Sequence, residues 1–170
     1  MKILVISDNH GYVDEGILSH AAWADEVWHA GDWLNTAMHE AITKLGKPII
    51  GVHGNIDGMD VKVEYPDVQL FDREGFRILM IHIGGKPGRY PANVKDIINK
   101  TKPDIYVCGH SHMLQVQRDP KYNNLLFLNP GAAGQHGVHD EQTALRFKID
   151  GSRIFDMEVI QMPRLKIRVK

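Results

Sequence analysis

Cysteine is nearly missing from this sequence: Cys108 stands alone, so no disulfide can form within the chain. That favours a reducing compartment. Long apolar runs are missing too. The run Ile3-Leu-Val-Ile6 behind Met1 is far shorter than a secretory signal or a membrane span, and no later stretch reaches the ~18 apolar residues a span needs. A cytoplasmic protein without a membrane partner is therefore expected. Nor does one sign of charge dominate, since 20 Lys and Arg against 21 Asp and Glu leave a formal charge of −1. With neither a basic excess nor an aromatic and basic stripe, the composition disfavours a nucleic-acid-binding module. Phosphate recognition, if present, has to be local.

What the sequence does contain is enough apolar residue, 43% of 170 positions, to bury the core of one domain. One domain over 1–170 is expected, with no inserted cap domain. Ten histidines raise the question of metal. Short apolar runs alternate with helix-like segments through the first half, the pattern of βαβ units around a largely parallel sheet. Strands are expected at Lys2–Ser7, Glu26–Ala30 and Pro48–His53, and helices at Gly16–Ala24 and Thr36–Leu45. Then the texture changes. Val68–Asp72 and Phe76–His82 flank Arg73-Glu-Gly75, a hairpin signal, and a helix over Pro91–Lys102 precedes a strand at Asp104–Cys108. Leu114–Arg118, Leu125–Leu128, Ala144–Asp150 and Arg153–Ile160 complete a mostly β second half. The segment 163–170 alternates charged and apolar residues from Arg164 onward, which suits an edge strand or a tail and offers pairing across a homodimer axis.

Polar residues gather where these strands end. Asp8 and His10 follow the first strand, Asp32 the second, Asn55 the third, and His82 closes a fourth. His110 and His112, one residue apart, follow a fifth. Open α/β sheets place their ligand sites at such carboxyl ends. An Asp or Asn before a helix is ordinarily a cap, and a single His ordinarily a polar side chain. Here they coincide at successive strand ends. That mixture of nitrogen and oxygen donors suits Mn²⁺, Fe²⁺, Co²⁺, Ni²⁺ or Zn²⁺.

In order, Asp8-Asn-His10, Gly31-Asp32, Gly54-Asn55, His82 and Gly109-His-Ser-His112 resemble the motifs of the calcineurin-like metallophosphoesterases. With Gly54-Asn-Ile-Asp57 and Asn129-Pro-Gly131 added, the likeness is to the small bacterial and archaeal phosphodiesterase subgroup. The resemblance implies an α/β fold, a two-sheet β-sandwich flanked by helices. It implies one metal ion on Asp8, His10, Asp32 and His112, a second on Asp32, Asn55, His82 and His110, and Asp32 as bridge. It further implies hydrolysis of a phosphodiester, or of another phosphorylated small molecule, by a metal-activated hydroxide. A phosphomonoesterase is the near alternative. The same fold also serves as a protein-binding scaffold with an incomplete metal constellation, whereas here all seven positions are filled.

One departure stands out. Many members carry a histidine directly after the metal-binding Asn, held to assist the leaving group, and here that position is Ile56. Asp57 offers a partner for a ligand histidine, a loop cap or a proton donor. Lys86 and Arg89, in Gly84-Gly-Lys-Pro-Gly-Arg-Tyr90, either lean over a phosphate or belong to an ordinary solvated loop. His136 and His139 lie near the site or are simply exposed, and His20, His29, His39 and His53 are read as structural.

Overall fold

The computed structural model describes residues 1–137 and 139–164. In chain order the elements are β1 (Lys2–Ile6), α1 (Glu15–Trp23), β2 (Glu26–His29), α2 (Ala37–Lys44), β3 (Ile49–Gly51), α3 (Met59–Glu64), β4 (Val68–Arg73), β5 (Phe76–Ile81), α4 (Ala92–Thr101), β6 (Ile105–Val107), β7 (Leu114–Asp119), a 3₁₀ turn (Pro120–Tyr122), β8 (Leu125–Pro130), β9 (Glu141–Asp150) and β10 (Arg153–Pro163). They form two five-stranded sheets, ordered β10-β9-β1-β2-β3 and β4-β5-β6-β8-β7. In each sheet the three strands at the site, β1-β2-β3 and β5-β6-β8, run parallel; antiparallel β9 and β10 extend the first beyond β1, and antiparallel β4 and β7 flank the second on both sides. Hence the carboxyl ends of both parallel sets can meet at one rim.

Period-two alternation explains why these strands lie between layers. Ile3 and Val5 of β1 enter the core between the sheets with Trp28, Ile78, Ile105, Leu126 and Phe147. Leu4 and Ile6 point the other way, onto Ile17, Ala21, Met38 and Ile42 of α1 and α2. On the far side, Leu79, Tyr106 and Phe127 cover Val94 and Ile98 of α4. The result is a β-sandwich flanked by helices, with strands buried on both faces as parallel strands usually are.

Local chemistry sets the boundaries. The Asp14 side chain caps α1 by accepting from Gly16 N at 2.8 Å and Ile17 N at 3.2 Å, so this helix starts before the expected Gly16. Glu74 (φ 49°) and Gly75 (φ 80°) make the two-residue turn that joins Arg73 to Phe76 in the β4–β5 hairpin. Sequence reading missed α3, whose six residues are too few to show a helical period and bury only Val61. It ran β3 past Gly51, although the chain after that residue already belongs to the site loop. β10 carries a bulge between Phe155 and Glu158 and continues past the expected Ile160 to Pro163, still paired with β9. Of the C-terminal segment, Arg164 follows β10, and 165–170 lie outside the described residues. No helix among the described residues is long and apolar enough to cross a membrane.

Candidate metal centre

The loop after β1 carries Asp8 and His10, and the loop after β2 carries Asp32. Those after β5 and β6 carry His82 and the pair His110 and His112. Asp8 (φ 53°), His10 (φ 46°), Asp32 (φ 59°), His110 (φ 66°) and His112 (φ 56°) all occupy the left-handed backbone region. Side chains other than glycine pay for this conformation, and it persists where surroundings over-determine it.

Those surroundings are specific. His29, fully buried, accepts from Gly31 N through Nδ1 at 3.1 Å and therefore presents its other nitrogen, as donor, to Asn9 Oδ1 at 2.9 Å. It thereby joins the loops after β1 and β2, while its ring stacks on Trp33. Burial drives its pKa well below the ordinary histidine value, which keeps it neutral in this role. Asp57 receives three backbone donors: Asp32 N at 3.1 Å and Gly54 N at 2.7 Å on Oδ2, and Leu34 N at 2.7 Å on Oδ1. Those partners are amides of the site loops rather than a ligand imidazole. Asn129 donates through Nδ2 to Gly109 O at 2.9 Å and Ser111 Oγ at 3.0 Å, so it orders the loop of His110 and His112. The Asn-Pro-Gly segment was its signal in the sequence, without a role attached.

Two glycines are required by close approach. A Cβ on Gly31 would meet the His82 ring at 2.6 Å, and one on Gly54 would meet Asp32 Oδ1 at 2.0 Å.

The side chains so placed form two clusters. Asp8, His10, Asp32 and His112 offer ligand atoms within 4.8 Å of one another, as do Asp32, His82 and His110. Asp32 belongs to both. Its Oδ2 is 3.7 Å from His10 Nε2, and its Oδ1 is 3.2 Å from His82 Nε2. In the first cluster, His112 Nε2 lies 3.3 Å from Asp8 Oδ1 and 3.3 Å from His10 Nε2. In the second, Asn55 Oδ1 is 3.2 Å from His82 Nε2. The structure thus gathers all seven candidate ligands.

Whether this donor set fits a cation can be judged at His82. Its Nδ1 lies 2.7 Å from Ala30 O, an acceptor only, so Nδ1 carries the proton there. In the neutral ring the Nε2 lone pair then faces oxygens of Asp32 and Asn55. Acceptors that converge without a proton among them repel, and a cation at their centre reverses the sign. The donors therefore fit a divalent ion. Electrostatics follow the same geometry. Burial is the largest influence on His82 and opposes its charged form, but Asp32, Asp8 and the Ala30 carbonyl together favour a protonated ring and raise its pKa. Burial is likewise the largest influence on the Asp32 carboxylate and opposes it, but His82, the Ile56 amide and His10 together hold it below the ordinary value. The bond to Asp8 raises His112, whereas burial lowers His10.

Lys86 and Arg89 are exposed on a turn closed by Arg89 N to Lys86 O at 2.8 Å, and none of the described hydrogen bonds or ion pairs joins either side chain to the clusters. His53 lies beyond β3 and lines a cavity of about 400 Å³ with Asn55, Lys62, His82 and Asn93. A second cavity, about 420 Å³, borders the other cluster at His112 and includes His139, Asp140, Glu141 and Gln161. His39 and His20 are held elsewhere, by Tyr65 and Arg146. His136 stands beside the site, its ring centroid 5.2 Å from that of His10.

Comparison with known proteins gives a consistent result. The model of the calcineurin-like phosphoesterase superfamily domain matches residues 1–152. A probable metallophosphoesterase of Methanothermobacter thermautotrophicus is 26% identical over 166 residues, spanning 95% of this chain and 92% of that protein. Among solved structures, one reported as a novel archaeal phosphodiesterase superposes with TM-score 0.70 at 19% identity, covering 95% of this chain and all (100%) of that one. Vps29 of Entamoeba histolytica, complexed with Zn²⁺, superposes with TM-score 0.72 at 18% identity and covers 97% and 100%. The last two likenesses concern the fold.

Proposed function

The chain belongs to the calcineurin-like phosphoesterase superfamily, and from that premise we propose that it hydrolyses phosphodiesters at a site holding two divalent ions. The family binds divalent metal and acts on phosphate esters. The observation that carries the two-ion reading is Asp32, whose two oxygens face different clusters, 3.2 Å from His82 Nε2 and 3.7 Å from His10 Nε2. A carboxylate so shared would supply the anion that two neighbouring cations need.

When bound, the ions supply an activated water and electrostatic stabilisation at the phosphoryl oxygens. The residues supply position. Asp8, His10 and His112 would hold one ion and Asn55, His82 and His110 the other, with the loops bringing these side chains together so that little reorganisation would remain. Neutral Asn55 adds a donor without cancelling positive charge. Asp57, with three backbone bonds to satisfy, acts as a loop clamp and not as an acid. Ser7, hydrogen-bonded to Asp8 Oδ2 and to Gly131 O, supports a ligand and is no nucleophile.

The preference for a diester is supported by the two cavities, one bordering each cluster, which give both substituents on phosphorus a place. The test is turnover of bis-p-nitrophenyl phosphate against p-nitrophenyl phosphate by protein loaded with Mn²⁺, Ni²⁺ or Zn²⁺, with Asp32→Ala as control and metal content measured throughout. The expected result is faster diester cleavage, two ions per chain, and loss of both in Asp32→Ala. Faster monoester turnover would move the function to phosphomonoesters, and metal binding with neither activity would leave the scaffold reading.

A further inference from the structure

His136 has no place in the ligand set, yet the fold holds it against that set. Its ring lies 5.2 Å from the His10 ring, with the planes inclined at 32°, and His10 in turn lies 5.1 Å from the ring of His112. His10 thus has an imidazole neighbour in the first cluster and another outside it. His10 and His112 face Asp32 and Asp8 with their Nε2 atoms. Exposed His136 stands outside both clusters, and none of the described hydrogen bonds or ion pairs engages its ring, so an imidazole N–H can meet a ligand arriving from solvent.

This placement is built, because the segment is tied at both ends. At its start, Ala133 N donates to Ser7 O at 2.8 Å and Gly134 N to Asp8 O at 3.1 Å, fastening it to the loop that carries Asp8 and His10. Arg164 grips the segment on both sides of His136: Nε to Gly134 O at 3.2 Å before it, and Nη1 to His139 O at 2.7 Å and backbone N to Asp140 O at 3.0 Å beyond it. The guanidinium lies directly under Gly137, where a Cβ would stand 2.5 Å from Nη1. Planar and multiply donating, guanidinium suits such a grip on carbonyls, and lysine could make fewer of these bonds.

The sequence shows why such a contact has work to do. Position 56, directly after Asn55, holds Ile and offers the substrate no hydrogen bond. His136 stands against the first cluster at His10, and His112 of that cluster borders the cavity of about 420 Å³ that includes His139 and Asp140. We propose that His136 donates a hydrogen bond to the phosphoryl group of the bound substrate, and that Arg164 is the positioning residue that keeps it there. The proposal rests on the phosphoesterase reading above and adds a contact to it.

Calorimetric titration of inorganic phosphate into manganese-loaded protein tests the contact without requiring turnover. A hydrogen bond to a charged group is worth about tenfold or more in affinity. His136→Ala should therefore weaken phosphate at least about tenfold with metal content unchanged, and His136→Gln, which keeps an N–H donor, should recover part of the loss. Arg164→Ala should weaken phosphate similarly, and the double variant should be no weaker than His136→Ala alone, since both act through one contact. Phosphate affinity within about twofold of wild type in His136→Ala would overturn the proposal. So would loss of metal in that variant, which would make His136 a ligand. Additive losses in the double variant would remove Arg164 from its role. Diester turnover, measured in parallel, separates the two readings: His136-dependent phosphate binding without turnover sinks the esterase and leaves the contact, whereas turnover indifferent to His136 does the reverse.

Discussion

Replacing Asp57 by Asn tests how the site loops are held, because the change keeps the side chain's shape and removes its charge. The buried carboxylate accepts from Asp32 N, Leu34 N and Gly54 N, which lie on the loops after β2 and β3. Each bond to an ionised acceptor contributes ~1.5–3 kcal/mol, against ~0.5–1.5 kcal/mol for a neutral one. Asn has a single acceptor oxygen. With that oxygen at the Oδ2 position, two bonds survive in weaker form, and the amide NH₂ confronts Leu34 N–H donor to donor. One charged bond is lost and two are diminished, so the expected destabilisation is about 3–5 kcal/mol. Urea unfolding in chelator measures this without linkage to metal, as a lower midpoint at unchanged slope. Asp32, one of the clamped residues, holds a left-handed backbone that relaxes once its amide is released, so Mn²⁺ affinity should fall as well. A variant within about 0.5 kcal/mol of wild type, with native metal affinity, would refute the clamp and return Asp57 to candidacy as the proton donor.

Other expectations follow from the same geometry. His112→Ala and His82→Ala should empty different ion sites, because the two imidazoles belong to different clusters; anomalous scattering from crystals of each variant decides it, and loss of the same ion in both contradicts the partition. With Ile at position 56, rates for aryl methyl phosphodiesters should depend steeply on phenol pKa, and Ile56→His should flatten the dependence, as a positioned acid is worth ~10²–10⁴-fold for poor leaving groups. A flat native profile would mean that another group already protonates the leaving oxygen. Burial pushes the Cys108 thiol up to about 12, so at pH 8 only about one part in ten thousand is thiolate. Iodoacetamide should then leave the folded protein unlabelled and react only after denaturation, as mass spectrometry would record; prompt labelling of the native state would contradict it.

The fold was legible wherever periodicity had room to act. Each strand of five or more residues and each helix of eight or more was found within a few residues, because buried faces impose their spacing on the sequence. The six-residue α3 and the last three residues of β10 were not, since the first is shorter than two turns and the second ends on Pro163, a residue that ordinarily signals a strand's end. At the site, the seven candidate ligands were readable because each follows a strand. Their supports were harder to see. Nothing in the sequence says that Asn129 reaches Gly109 O, that His29 joins Asn9 to Gly31, or that Arg164 reaches back to Gly134, because these bonds link residues 20 to 30 apart. Residue type identified what can bind an ion; only the folded chain identifies what aims it.

Neither sheet owns the centre. Asp8, His10, Asp32 and Asn55 come from loops of the first sheet, and His82, His110 and His112 from the second, so each cluster draws on both. The clusters therefore sit astride the seam of the sandwich, and ion affinity becomes a gauge of how the two halves are aligned. Thinning the packing at Ile105 or Phe147, in the core between the sheets, lets one half slide on the other by fractions of an ångström. Coordination, which tolerates little such error, registers the slip as weakened binding before any strand unravels. By the same mechanics a bound ion would act as a rivet between the two halves, held where loops of both sheets meet.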